Sequence, residues 1–209
     1  MKIAMIGTGN VGRALGTGWA KKGHQVIFGS RNPHSEKVRE VLAAAGANAS
    51  AAGIAEAGAA AEVIVLATPW NIMEQIVESL GNVAGKIVVD ATNPIGPGFQ
   101  LAVGMTSSGA EQIAGWAKGG RVVKAFNTTG WENMADPIYH GQPITMFICG
   151  DDAEARAVVA GLAEDLGFEV TDTGPLSTAR YLEPLAMLWI HLATVQKQGR
   201  QMAFKIVKR

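Results

Sequence analysis

Cysteine is nearly absent from this chain of 209 residues, with Cys149 the only thiol, so no internal disulfide can form. Histidine is almost as scarce. His24, His34, His140 and His191 show no metal-ligand spacing with one another or with Cys149, and metal catalysis is not expected. Net charge is missing too, because 18 Lys and Arg balance 18 Asp and Glu, which removes the broad attraction that draws proteins to nucleic acid or acidic membranes. Neither is an expected partner. The longest apolar runs, residues 63–67 and 87–89, are strand length and fall far short of the roughly 20 residues that span a bilayer. The N-terminus opens directly into a strand-like run without the regions of a signal peptide, which leads to the expectation of a soluble cytoplasmic protein. Serine is common, yet no G-x-S-x-G elbow or other nucleophile with its base can be found.

What is there is a hydrophobic content of 48%, enough for one sizeable core and a single domain over residues 1–209. Short apolar runs at residues 2–6, 25–28, 48–51, 62–67, 86–90 and 121–125 alternate with helical segments at 11–22, 35–45, 54–59, 71–80 and 108–118. Strands that are apolar throughout, separated by helices, predict a Rossmann-like, doubly wound α/β fold with a mostly parallel sheet covered on both faces. Beyond Pro143 the pattern gives a strand (145–149), a helix (152–166, with Asp151 or Asp152 as N-cap) and a strand (168–171). A final helix carries Leu185, Leu188, Leu192 and Val195 at helical spacing; Pro184 fits only its first turn, which predicts a start near Leu182. The Gly/Pro-rich stretch 93–104 reads as a long functional loop. The tail, 205–209, is expected to fray.

Directly after the first strand stands Gly7-Thr8-Gly9-Asn10-Val11-Gly12, a G-x-G-x-x-G sequence opening a helix inside a βαβ unit. Gly7 suits the tight turn, Gly9 lets backbone approach a pyrophosphate, and Gly12 allows close helix–strand packing. The helix N-terminus would then face the phosphates. At the end of the second strand an NAD site would carry Asp or Glu for the ribose 2′-hydroxyl, but here the chain reads Phe28-Gly29-Ser30-Arg31-Asn32. A hydroxyl, a guanidinium and an amide stand where a 2′-phosphate would lie, which predicts NADP(H) over NAD(H). The competing reading of Arg31 is a helix cap or a partner for Glu36.

The other strand ends supply Ala67-Thr68-Pro69-Trp70, Ala91-Thr92-Asn93-Pro94 and Phe126-Asn127-Thr128-Thr129. These polar, uncharged groups can bond a nicotinamide carboxamide and the edge of a second heterocycle. Trp70 either walls off the nicotinamide or packs beneath the adenosine. Ser177 and Thr178 precede the last helix as caps or ligand contacts, and Arg180 serves either purpose. His140 lies in a loop that could approach the ligand, His24 and His191 read as packing or solvent-facing, and Cys149 as a small core residue. Trp116, Trp189 and the methionines read as core or interface. No catalytic side chain is assigned.

The ordered set Gly7 to Gly12, Ser30-Arg31-Asn32, Thr68-Pro69-Trp70, Cys149-Gly150-Asp151-Asp152 and Gly174-Pro175-Leu176-Ser177-Thr178-Ala179-Arg180 resembles the NADP-dependent coenzyme F420 oxidoreductases. The cytoplasmic domain of the STEAP metalloreductases is similar, and Lys124-Ala125-Phe126-Asn127 is closer to it. The resemblance covers residues 1 to about 188. It implies NADP(H) across the sheet's carboxyl edge, held by Gly7, Thr8, Gly9, Asn10, Val11, Ser30, Arg31, Thr68 and Asn93, with a deazaflavin or flavin stacked on the nicotinamide. Direct hydride transfer between two positioned rings needs no side-chain acid or base. Residues 1–142 would then be the dinucleotide-binding core and 143–209 an extension completing the second-cofactor pocket. Archaeal members tend to carry histidine where this chain has Asn127, and the stretch 129–143, read as a loop, differs, so the acceptor is coenzyme F420, FMN, FAD or another small molecule. Two other readings stay open: a reductase of a small organic substrate like the β-hydroxyacid dehydrogenases, with Lys124 the only lysine near a substrate strand, and a non-catalytic NADP(H) sensor. The apolar last helix, with Trp189, Leu192 and Met202, suggests a homodimer contact.

Overall fold

Val63–Leu66 is apolar at every position, a composition suited to a strand covered on both faces. All four residues are buried in the computed structural model, which describes residues 1–209. The first half of the chain winds β1 (Lys2–Ile6), α1 (Asn10–Lys21), β2 (Gln25–Gly29), α2 (Glu36–Ala45), β3 (Ala49–Ala52), α3 (Ile54–Ala60) and β4 (Val63–Leu66). It continues through α4 (Met73–Ser79), β5 (Ile87–Asp90), α5 (Gly109–Trp116) and β6 (Arg121–Lys124). Then come α6 (Trp131–Ala135), a small hairpin of β7 (Ile138–Tyr139) and β8 (Gln142–Pro143), β9 (Thr145–Gly150), α7 (Ala153–Asp165), β10 (Glu169–Asp172) and α8 (Ala179–Ile190).

The eight-stranded sheet runs β10-β9-β6-β5-β4-β1-β2-β3. Every pairing is parallel except that of β9 with β6, where Lys124 stands opposite Cys149. Strand order reverses between β1 and β4, so a crevice opens there at the carboxyl ends, where open α/β sheets bind ligands. Each face of the sheet has its own core. Trp19, Phe28, Phe126, Met146 and Leu162 fill the first, and Ile64, Leu66, Met73, Ile113 and Leu182 the second. The Trp19 ring meets Phe126 edge-on at 5.6 Å and donates its N–H to the Leu162 carbonyl at 2.8 Å. No helix is long and apolar enough to cross a membrane.

Three expectations are corrected. Helix α8 starts at Ala179, not Leu182, because the 3₁₀ turn Leu176–Thr178 runs straight into it. Pro184 therefore sits inside the helix rather than in its first turn, on an exposed position. The tail does not fray over residues 204–206, where Thr145 N–H donates to the Phe204 carbonyl and Lys205 Nζ reaches Pro143 O and Glu169 Oε2, both at 2.7 Å. The Lys205 partners lie 36 and 62 residues earlier, so no local pattern in the tail foretells them. Residues 129–143 are not one irregular loop, since they hold α6 and the β7–β8 hairpin.

Candidate cofactor site

The turn between β1 and α1 contains three glycines, and the structure separates their roles. Gly7 has φ of +117°, and a Cβ there would lie 2.5 Å from the Ala67 carbonyl oxygen. At Gly12 a Cβ would come within 2.0 Å of the Gly7 carbonyl oxygen. The protein itself demands both. Gly9 is different, for its φ of −76° and ψ of −172° suit any residue and an added Cβ would meet nothing within 4 Å. Neither the backbone nor a neighbour accounts for this glycine, whereas a group pressed against the turn from outside does. Gly9 is the N-cap of α1 with no side-chain cap and no acidic residue in the first turn. The N–H groups at Asn10, Val11 and Gly12 have no upstream helical carbonyl, so they and the helix dipole point positive charge at the same place. A pyrophosphate fits this turn.

At the end of β2, Ser30 donates its backbone N–H to Ala52 O at 3.1 Å and accepts the Asn32 N–H on Oγ at 3.2 Å. That turn throws Arg31 outward. Arg31 is exposed and forms no ion pair. Helix α2 is capped by Ser35, whose Oγ accepts from Val38 N–H at 3.4 Å. Neither competing role for Arg31 is therefore found. Gly7, Thr8, Gly9, Ser30 and Arg31 line a cavity of about 300 Å³, joined there by Lys37 from the first turn of α2. Sequence reasoning missed Lys37, whose place at this wall follows only from how α2 packs beside β2. Asn32 is exposed and lines no part of the cavity.

Ala67, Thr68 and Pro69 also form part of a second cavity of about 400 Å³, completed by Val11, Trp70, Ala91, Thr92, Asn93 and Ile95. The two cavities thus share a wall along the ends of β1 and β4 and together bring most of the sequence-selected residues to one groove. Trp70 belongs to the second cavity, half-buried, with its ring centroid 5.7 Å from that of Trp116. A comparable hollow of about 490 Å³ lies against α1, Ala44, Trp131 and Ala135. Of the residues singled out from the sequence it contains only Asn10, and it is not at the strand ends.

Asn127 does not line the groove. It is 4% exposed and acts from behind, with Nδ2 donating to Asn93 Oδ1 and Leu182 O at 3.1 Å each. Asn93 answers by donating Nδ2 to the Asn127 backbone carbonyl at 3.0 Å. The preceding Phe126 is fully buried with φ of +63°, a left-handed conformation that costs a bulky residue on the order of 1–3 kcal/mol.

Beneath this loop lies a charge cluster that sequence reasoning missed. Lys124 Nζ donates to Asp90 Oδ2 at 2.7 Å, Thr92 O at 2.7 Å and Glu183 Oε1 at 2.9 Å. All three charged side chains are at most 1% exposed. Asp90 Oδ1 accepts from Thr92 N–H and Oγ1–H at 2.9 and 2.7 Å, while Glu183 accepts from Gly109 and Ala110 N–H at 3.0 and 3.2 Å. Burial alone would lower the Lys124 pKa, but the Asp90 and Glu183 carboxylates outweigh it and raise it above the ordinary 10.5. The ammonium stays charged. The signal that could have found the cluster was an Asp and a Lys each ending a strand directly after a pair of valines. Removing one member of such a group typically costs about 3–5 kcal/mol, because a buried charge loses its partner.

The remaining candidates fall outside the groove. Arg180 forks onto Glu111 at 2.6 and 2.9 Å, tying α8 to α5 and holding the Glu111 carboxyl below its usual pKa. Thr178 Oγ1 donates to Thr173 O at 3.1 Å rather than capping α8. His24 meets Asp165 at 2.9 Å, and His140 is exposed at a left-handed turn position. Cys149 is buried, which pushes its thiol up to about 12. Trp189 is buried within its own chain, its ring N–H on Met202 O at 2.8 Å.

Comparison with known proteins follows the same lines. The family described as NADP oxidoreductase, coenzyme F420-dependent, matches residues 2–94. The F420-dependent NADP reductase of Methanocaldococcus jannaschii is 30% identical over 92% of this chain and 92% of its own length. Rat metalloreductase STEAP3 is 33% identical over 90% of this chain, which spans only 37% of that protein. A crystal structure from Arthrobacter sp. FB24, of a candidate F420-dependent NADP reductase, superposes with a TM-score of 0.90 at 34% identity over 100% of both chains. On this agreement in sequence and fold, the chain belongs to the family of coenzyme F420-dependent NADP oxidoreductases and is an NADP-dependent oxidoreductase with a Rossmann-like fold.

Proposed function

We propose that this protein transfers a hydride between NADP(H) and coenzyme F420 or a flavin-like acceptor (FMN or FAD). The observation that carries the reading is Gly9, a glycine with ordinary dihedrals and open space above it, at the end of a helix that attracts phosphate. In this reading Gly7 to Gly12 hold the pyrophosphate. Ser30 and Arg31, with Lys37, hold the 2′-phosphate, while Thr68, Pro69, Trp70, Thr92 and Asn93 surround the nicotinamide. Asn127 supports Asn93 from behind. When bound, NADP(H) supplies the hydride donor or acceptor carbon.

The chain's own task is to orient and to exclude water, which needs no side-chain acid or base, and no titratable side chain lines the cavity assigned to the nicotinamide. Lys124, the only lysine considered as a general acid, is fully buried and bonded to two carboxylates. That speaks against a β-hydroxyacid dehydrogenase type of reaction, which would need such a group free at the substrate. The apolar face left exposed on the terminal helix, with Tyr181, Leu188 and Val195, is assigned in this reading to a homodimer contact.

Mixing the protein with NADPH and coenzyme F420, FMN or FAD while following absorbance at 340 nm tests the proposal. Acceptor-dependent loss of NADPH supports it. Tight NADPH binding without turnover on any acceptor would replace it with a sensor.

A further inference from the structure

We infer that Asp90, Lys124 and Glu183 are positioning residues that couple helix α8 to the loop holding the nicotinamide end of the cofactor, an inference that rests on the function proposed above. None of the three touches either groove cavity, yet their bonds end on residues that do or that support them. Lys124 donates to the Thr92 carbonyl, and Asp90 accepts both the Thr92 amide and its hydroxyl. Thr92 and Asn93 line the second cavity. The other end of the cluster is Glu183, in the middle of α8, which also caps the first two amides of α5.

A second connection runs beside the first and carries no charge. Asn127 bridges Asn93 to the Leu182 carbonyl, so two consecutive residues of α8 are each wired to the same loop. All three ammonium protons and both carboxylates are engaged, which fixes the geometry as a unit. Strand pairing alone would end at Asp90 opposite Lys124. The loop beyond it takes its position from these bonds. Burying three charges where apolar side chains would pack as well is poor economy for stability, and specification of one arrangement is the use such groups can have.

The effect belongs to one end of the site. The phosphate-binding turn and Arg31 sit on β1 and β2 and share no bond with the cluster. Hence NADPH, which reaches the Thr92–Asn93 loop, should feel α8, and 2′,5′-ADP, which stops at the adenosine end, should not.

Hydrogen exchange on the wild-type protein reads this directly. Saturating NADPH is expected to slow exchange of the α8 amides, residues 179–190, by at least about tenfold, while saturating 2′,5′-ADP leaves them unchanged. A companion variant, Glu183→Gln, keeps size and an acceptor but removes the charge facing Lys124. It is expected to lower kcat for NADPH oxidation by coenzyme F420 about tenfold, with KM for NADPH and affinity for 2′,5′-ADP within about twofold of wild type. A cluster with only a structural role would weaken both ends together, or leave a folded variant with unchanged kcat, and either result overturns the inference. Should the variant not fold, the wild-type exchange decides. Binding of NADPH with α8 unprotected sinks the inference alone, whereas no binding of NADPH sinks the proposed function with it.

Discussion

At the scale of single residues, chemistry and sterics pull the three glycines of the turn apart. Gly12→Ala drives a methyl group to 2.0 Å from a backbone carbonyl and should destabilise the fold by more than about 3 kcal/mol, seen as a large drop in melting temperature. Gly9→Ala meets no protein atom and should cost no more than about 1 kcal/mol as an N-cap change, while NADPH affinity falls severely. Equal melting losses in the two variants would refute the assignment of Gly9 to the ligand. Arg31 has no partner in the protein, so Arg31→Ala should leave stability within about 0.5 kcal/mol. Each charge-assisted bond it gives a 2′-phosphate is worth roughly 1.5–3 kcal/mol, so NADPH should weaken tenfold or more and NADH hardly at all. Titration of both coenzymes into both proteins checks this, and equal losses would show that the phosphate is read elsewhere. These residues were legible in the sequence because a turn of fixed spacing and a missing carboxylate are local facts. Lys37 and Glu183 were not, since neither sits in a motif and only packing brings them to the site or to the support behind it.

Among the elements, those with a long apolar period were the readable ones. The strands β4 and β5 each open with three consecutive β-branched residues, and α7 announces itself with Asp152 as N-cap, accepting the Ala155 N–H at 2.7 Å. The two-residue strands β7 and β8 and the five-residue α6 are too short for any periodicity to register. Helix α8 began earlier than Pro184 suggested because a preceding 3₁₀ turn had already set the helical direction. Its tie to α5 gives a pH test. The Arg180 hydrogen bonds hold the Glu111 carboxyl below 4.5, its ordinary value. The stabilisation is therefore present above pH 4.5 and lost as pH falls through the lowered value. Glu111→Gln should melt below wild type at pH 6, by an amount equivalent to no more than about 1 kcal/mol for a partly exposed pair. The gap should narrow as pH falls from 4.5 through the lowered value. A gap that stays constant across that range would place the stabilisation elsewhere.

For the whole molecule, the doubly wound fold followed from the order of apolar strands and helices, whereas the antiparallel join of β9 to β6 did not. Strand direction after a hairpin depends on where the chain re-enters the sheet, and no residue pattern encodes that. The exposed apolar face of the terminal helix, with Tyr181, Leu188 and Val195, leads to the expectation of a dimer in sedimentation at micromolar concentration. A monomer there would remove that face from the account. The function itself rests on the groove at the sheet's carboxyl edge being built for a dinucleotide with an extra phosphate. Calorimetric titration of the wild-type protein with NADPH and, separately, with NADH asks that question with the fewest assumptions. The account predicts saturable uptake of one NADPH per chain with affinity at least about tenfold above that for NADH; no heat from either coenzyme would contradict it.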